Sequence, residues 1–248
     1  MAEALAAFFP GLALGSFLNV VAARVPMRRS IVRPASACMS CGTAIRRRDN
    51  VPVLSYLWLR GRCRACGARI PLRYPAVELA TALLFAGCVL RFGLSRDAVV
   101  AAFVSTLLVA ISVTDLEHRI VPNRIVVPGA VAVLLAQTAL HPSPEWAIGA
   151  VGASGFLLLA ALAYPAGMGM GDVKLALLMG AALGRVVPVA LMVGMLSALV
   201  PSAVLFVRHG AGARKMGIPL APFLALGTIV GLFAGHELLG AYLHQLHG

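Results

Sequence analysis

Only nine of the 248 residues are acidic, and their positions narrow the chemistry open to the chain. Glu3, Asp49, Asp97, Glu145 and Glu237 fall in polar breaks or near the ends of the chain. Glu78, Asp115, Glu117 and Asp172 fall at or beside long apolar runs. An ionisable group there costs several kcal/mol and is a functional candidate by default. Asp115 closes one run, just before Glu117, His118, Arg119 and Pro122-Asn123; Asp172 opens another, after Gly167, Gly169 and Gly171. Two carboxylates brought together resist ionising at once and share a proton. The ionised partner can take a proton from water. The protonated one can hydrogen-bond a carbonyl oxygen and then protonate a leaving amine. That is peptide hydrolysis without a covalent intermediate. Gly169 and Gly171 would let the backbone of an extended substrate come close. Structural roles stay open beside this one. Asp115 can pair with Arg119 one turn later, and Asp172 can cap a helix N-terminus. Glu117 and His118 read as solvated interfacial residues, Lys174 as a side chain snorkelling to headgroups, and Asn19 as a hydrogen bond to another helix.

The cysteines form a second constellation. Cys38-Met-Ser-Cys41-Gly42 through Ile45 is repeated twenty-five residues later as Cys63-Arg-Ala-Cys66-Gly67 through Ile70. Four thiolates from Cys38, Cys41, Cys63 and Cys66 are a ligand set for tetrahedral zinc, with iron open on ligand type alone. The glycine after each pair is expected at positive φ, turning backbone N–H groups toward the sulfurs. The neighbouring arginines would offset the negative charge of a metal tetrathiolate. A disulfide reading conflicts with a reducing compartment. The metal's expected role is to staple a loop too small to build a core. Cys88, inside an apolar run, reads as a small buried hydrophobe.

The elements that must hold these groups are set by composition. Apolar residues make up 60% and charged residues 12% of the chain, with mean hydropathy +0.91. That excludes a soluble globule, a disordered chain and a disulfide-stapled secreted domain. Eight apolar runs are visible: 4–23, 76–90, 98–114, 125–140, 146–164, 173–183, 186–207 and 219–242. In lipid such runs must be helices, because backbone polar groups have no water to bond. The expected fold is therefore an all-α polytopic membrane protein of about eight helices, with a small zinc-ribbon-like loop on the cytoplasmic side. Three regions are expected: a first membrane helix at 1–23; a four-cysteine loop at 24–75, grouped with the following helix to about 92; and membrane helices over 76–248 bearing the two aspartates.

Arg24, Arg28 and Arg29 follow the first run and no basic residue precedes it, which reverses the polarity of a cleaved signal. Alternating the passes from an outside N-terminus leaves eighteen Lys/Arg inside and three outside, twelve of the former at 24–73. Both termini are then outside, and the cysteine loop and both aspartates lie at the cytoplasmic boundary. The net charge of +12 is thus mainly a topology signal, with anionic headgroups as an added partner. Nucleic acid is not expected, since the basic loop has few aromatics to stack bases.

Ordered stretches along residues 11–227 resemble the prepilin peptidases, or type IV leader peptidases. They are Gly15-Ser-Phe-Leu-Asn19 through Arg24-Val-Pro26, the paired cysteines, Tyr74-Pro75-Ala-Val-Glu78, Asp115 through Pro122-Asn123, Gly169-Met-Gly171-Asp172-Val-Lys174, and Ile218-Pro219-Leu-Ala-Pro222. The resemblance implies a multi-pass inner-membrane enzyme. It would cleave the leader of type IV prepilins and type II secretion pseudopilins, then methylate the new N-terminal residue, usually Phe, with S-adenosylmethionine. It implies Asp115 and Asp172 as the catalytic pair, and links the cysteine loop to zinc and methyl transfer. No glycine-rich strand–helix fingerprint for S-adenosylmethionine is visible, and Glu78 is assigned to that site without a motif behind it. A peptidase without methylation, a presenilin-like intramembrane protease sharing Gly-x-Gly-Asp, and a proton-coupled transporter using the aspartates as relays are the rival readings.

Overall fold

The computed structural model describes residues 1–165, 168–210 and 217–247. Gly167, Arg214 and Lys215, used above in the motif and the charge count, lie outside them. The elements are α1 (Ala2–Arg24), α2 (Leu54–Trp58), α3 (Arg73–Phe92), α4 (Arg96–His118), α5 (Asn123–Leu140), α6 (Glu145–Ala163), α7 (Met170–Leu183), α8 (Val187–His209) and α9 (Ala221–His247). Each of the eight apolar runs lies on its own helix, and the all-α polytopic expectation holds. Among the described residues, seven stretches are long and apolar enough to cross a membrane, with α7 and α8 falling in a single stretch, Met170–His209. These two are nonetheless separate helices. Gly184, at φ 54° and ψ −125°, ends α7 after 14 residues. At 1.5 Å per residue that is about 21 Å, less than the ~30 Å of hydrocarbon. Pro10, Pro128 and Pro201 sit inside α1, α5 and α8, as membrane helices tolerate.

The chain forms two compact units, Met1–Val113 and Thr114–Gly248. In the first, α1 lies against α3 by close backbone approach. A Cβ at Gly11 would stand 2.7 Å from Ala82 Cα, and one at Gly15 2.6 Å from Glu78 Cα. Small residues let helices meet where lipid supplies no hydrophobic drive between them. Asn19 donates from Nδ2 to the Tyr74 carbonyl at 3.1 Å, the interhelical bond expected of it. Cys88 is fully buried, its Sγ 3.9 Å from Ser105 Oγ.

In the second unit α7 is the core helix. It packs against α5, α6 and α9, and all but Lys174 and Leu177 from Val173 to Leu183 are buried. Gln137 of α5 donates to the Ala182 carbonyl at 3.1 Å. The α6–α7 contact is built on Gly149 and Gly180: a Cβ on Gly180 would fall onto the Gly149 carbonyl. Gly180→Leu is therefore expected to lower stability by about 1–3 kcal/mol, the usual cost of overpacking. Gly155→Ala, with no heavy atom within 4 Å of the added carbon, is the neutral control. Thermal midpoints of the two variants in detergent check this, and equal midpoints would refute the packing account.

Candidate functional site

The four cysteines meet as the repeat predicts. Their Sγ atoms all lie within 4.8 Å of one another, and Cys38 and Cys66 stand 3.8 Å apart. Four sulfurs about 2.3 Å from a tetrahedral metal would be about 3.8 Å apart, so the donor set fits one metal ion. The two half-sites are alike. The N–H of Cys38 donates to the Thr43 carbonyl at 2.9 Å and that of Cys63 to Ala68 at 2.8 Å. Gly42 and Gly67 donate back to the carbonyls of Cys38 and Cys63 from φ 72° and 70°, the positive values expected of them. Single antiparallel bridges, Ala37 to Ala44 and Arg62 to Arg69, close each turn. The N–H groups of Cys41 and Ser40 hold the Cys38 thiol below its ordinary pKa, and those of Cys66 and Ala65 do the same for Cys63. Cys41 is lowered by the Thr43 hydroxyl. At Cys66 the Ala68 N–H also favours the thiolate, but Cys41, desolvation, Cys63 and Cys38 outweigh it and push the group up to about 11.

The aspartates belong to the second unit. Asp115 lies in the last turn of α4 and Asp172 in the first turn of α7. Both line one cavity of about 240 Å³, with Arg119, Ile120, Val121, Asn123, Gly169 and Gly171. The carboxylates lie near enough to feel each other's charge. Asp115 is also held by a backbone amide: Ala221, at the N-terminus of α9, donates to its Oδ2 at 3.1 Å. Asp172 does not cap its helix: α7 starts at Met170, with Gly169 in the cap position. Arg119, from φ 54°, donates its backbone N–H to the Asp115 carbonyl at 2.8 Å and brings its charge to the same cavity.

The glycines divide their work. A Cβ on Gly171 would meet Val121 Cβ at 2.8 Å, so Gly171 seats the loop after α4. A Cβ on Gly169 would meet only Asp172 Oδ2, at 3.5 Å, and the Gly171 amide, at 3.8 Å, so Gly169 keeps the cavity wall low. Lys174 donates to Asn123 Oδ1 at 2.9 Å. Glu117 and His118 are half-buried and 3.8 Å apart. The Ala221 amide was not identified from the sequence. Its only signal there is its place between Pro219 and Pro222, the residues that set the start of α9.

Glu78 is 8% exposed, and its Oε2 accepts the Val53 N–H at 2.7 Å. The Ser16 hydroxyl faces the same carboxylate. The stretches around Gly15, Asn19, Tyr74 and Glu78 thus meet along the α1–α3 contact, in the unit that holds the cysteines.

Two family models match this chain: the bacterial peptidase A24 N-terminal domain over residues 9–92, and the type IV leader peptidase family over residues 102–207. A Bacillus subtilis protein named prepilin leader peptidase/N-methyltransferase is 35% identical over 97% of this chain and 98% of its own length. A Pseudomonas putida protein of the same name is 36% identical over 95% of this chain and 92% of its own. One from Myxococcus xanthus reaches 51% identity over 50% of this chain and 37% of its own length. No solved structure matches. With both halves of the chain matched and full-length relatives above 30% identity, the chain belongs to the type IV leader peptidase family.

Proposed function

We propose that this chain cleaves the leader of type IV prepilins and pseudopilins and then methylates the new N-terminal residue. The observation that carries the reading is the meeting of Asp115 and Asp172 in one cavity, in a chain whose full-length relatives are named for both activities. The chain is a multi-pass inner-membrane protein. We place both aspartates and the cysteine loop at its cytoplasmic face, on the eighteen-to-three asymmetry of Lys and Arg.

The pair holds one proton, and a water sits between the carboxylates. The ionised aspartate takes a proton from that water as its oxygen adds to the scissile carbonyl carbon. The protonated aspartate hydrogen-bonds the carbonyl oxygen, then gives its proton to the amine nitrogen as the C–N bond breaks. The products are a leader carboxylic acid, which loses its proton to solvent, and a free N-terminal amine, and the pair again holds one proton. Gly169 leaves room for the extended strand, and Arg119 and Asn123 frame it. Cys38, Cys41, Cys63 and Cys66 would hold zinc, which would organise the loop.

S-adenosylmethionine supplies the methyl group for the second step. We assign that step to the first unit, around Glu78. It needs a neutral amine and no shared proton, so the aspartate pair has no part in it. Asp115→Asn, unable to cleave, is expected to methylate a pre-cleaved peptide beginning with Phe at a rate within about twofold of wild type. Purified full-length protein in detergent, a prepilin or that peptide, and mass spectrometry of the product test both activities. Wild type releasing no leader would overturn the peptidase. A folded Asp115→Asn protein that fails on the peptide, where wild type succeeds, would mean one shared site.

A further inference from the structure

The geometry points to α2, Leu54–Trp58, as an interfacial foot by which the cysteine loop docks onto anionic phospholipid headgroups of the bilayer that the chain itself spans. Leu54, Leu57 and Trp58 are 63%, 64% and 82% exposed. At spacing i, i+3, i+4 they share one helix face. Tyr56 lies on the protein side, where a Cβ at Gly61 would meet its hydroxyl at 2.8 Å. A short helix with three large apolar side chains turned outward needs a cover.

The level of α2 is fixed by a separate observation. Val53, the residue before α2, donates its N–H to Glu78 Oε2 at 2.7 Å. Glu78 lies five residues into the membrane-spanning α3, about 7.5 Å along its axis. The polar zone on each side of the hydrocarbon is about 5–8 Å deep. The start of α2 is thereby pinned near the boundary of headgroups and acyl chains, the depth at which tryptophan is enriched.

Charge selects the lipid. Residues 24–73 carry twelve arginines and one acid, Asp49. That acid is already taken: Arg64 grips both its oxygens, at 2.7–3.1 Å, and holds it below the ordinary carboxylate range. Arg46, Arg47 and Arg48 precede α2, and Arg60 and Arg62 follow it. Guanidinium forks pair bidentately with phosphate oxygens, and a basic segment at a membrane surface gains about 1 kcal/mol per charge from anionic lipid. Arg48, Ser55 and Trp58 also line a recess of about 110 Å³, together with Leu59 and the Asp49–Arg64 pair.

The test uses the full chain in nanodiscs of phosphatidylcholine alone or with phosphatidylglycerol. Trp58 fluorescence is read as wild type minus Trp58→Phe, which leaves Trp146 untouched. With phosphatidylglycerol, acyl-brominated lipid should quench Trp58 about twofold or more beyond its effect in phosphatidylcholine alone, and acrylamide should lose access. The triple variant Arg46→Gln, Arg47→Gln, Arg48→Gln should erase that difference, while metal content and cleavage report that the protein is folded. Equal quenching in both lipids, or free acrylamide access in both, would overturn the proposal. So would Trp58 protected by prepilin in detergent and indifferent to lipid, which would make the face a substrate surface. None of these readings depends on the assignment of the catalytic pair.

Discussion

Asp115→Asn and Asp172→Asn are each expected to slow leader cleavage by about 10³-fold or more, with the protein still folded and inserted. The amide is nearly the same size and cannot take or give the proton. At Asp115 its oxygen can still accept the Ala221 N–H that the carboxylate accepts at 3.1 Å. At Asp172 the amide fills the same place beside Gly169, where an added Cβ would stand 3.5 Å from Oδ2. The cavity and the start of α9 should therefore survive the change, leaving a loss of proton transfer and not of structure. The double variant should be no slower than the slower single, because the residues act as one unit. Glu117→Gln should stay within a few-fold of wild type, as Glu117 does not line the cavity. Cleavage rates on a prepilin, with thermal midpoints as the fold check, decide the matter. Near wild-type cleavage by either aspartate variant would sink the assignment, and a double variant slower by the product of the two effects would mean independent roles.

How far the sequence reaches is set by the range of the interaction. Eight helices were legible because lipid leaves the backbone no other choice over long apolar runs. The cysteine site was legible because it is written twice: the same spacing yields the same turn, with Gly42 and Gly67 within 2° in φ. Asn19 could be read as an interhelical bond, but its acceptor, the Tyr74 carbonyl, could not. α2 was not found at all. Five residues carry too little periodicity, and part of what fixes them is the bond from Val53 to a residue on another helix. The start of α7 was placed three residues late because Met170, Gly171 and Asp172 interrupt the apolar run they belong to. The Ala221–Asp115 bond spans 106 positions, and no local pattern encodes such a pair. Gly171 drew attention for its spacing before Asp172, yet its neighbour is Val121, across the cavity wall. Spacing thus marked the chemistry-bearing residues, while the amides and small contacts that aim them are tertiary.

Removing the metal is expected to unfold the loop at 24–75 and to leave the second unit standing. Among those residues only Gly61 is buried. There is no apolar core to stabilise the loop, so its order rests on the four sulfurs, on turn hydrogen bonds, on the Asp49–Arg64 pair and on the Glu78 contact. Structural zinc in isolated fingers contributes about 10–16 kcal/mol at neutral pH, which is folding free energy when no core exists. The four thiols converge to within 4.8 Å, and no peptide hydrogen bond in the loop replaces that link between Cys38 and Cys66, 28 residues apart. Purified protein should carry about one metal ion per chain, zinc by elemental analysis. Cys41→Ser and Cys66→Ser should each drop that content at least about tenfold, and a strong chelator should do the same to wild type. Trypsin, with twelve arginines available at 24–73, should then cut the loop rapidly. The aspartate cavity is built wholly from residues 115–172, with Asp115 also braced by Ala221, all in the second unit, so the thermal transition of that unit should move little. Metal content well below one per chain, in folded protein whose loop resists trypsin with and without chelator, would refute the site. A chelator that collapses both units together would show that the loop's metal also supports the helices bearing the aspartates.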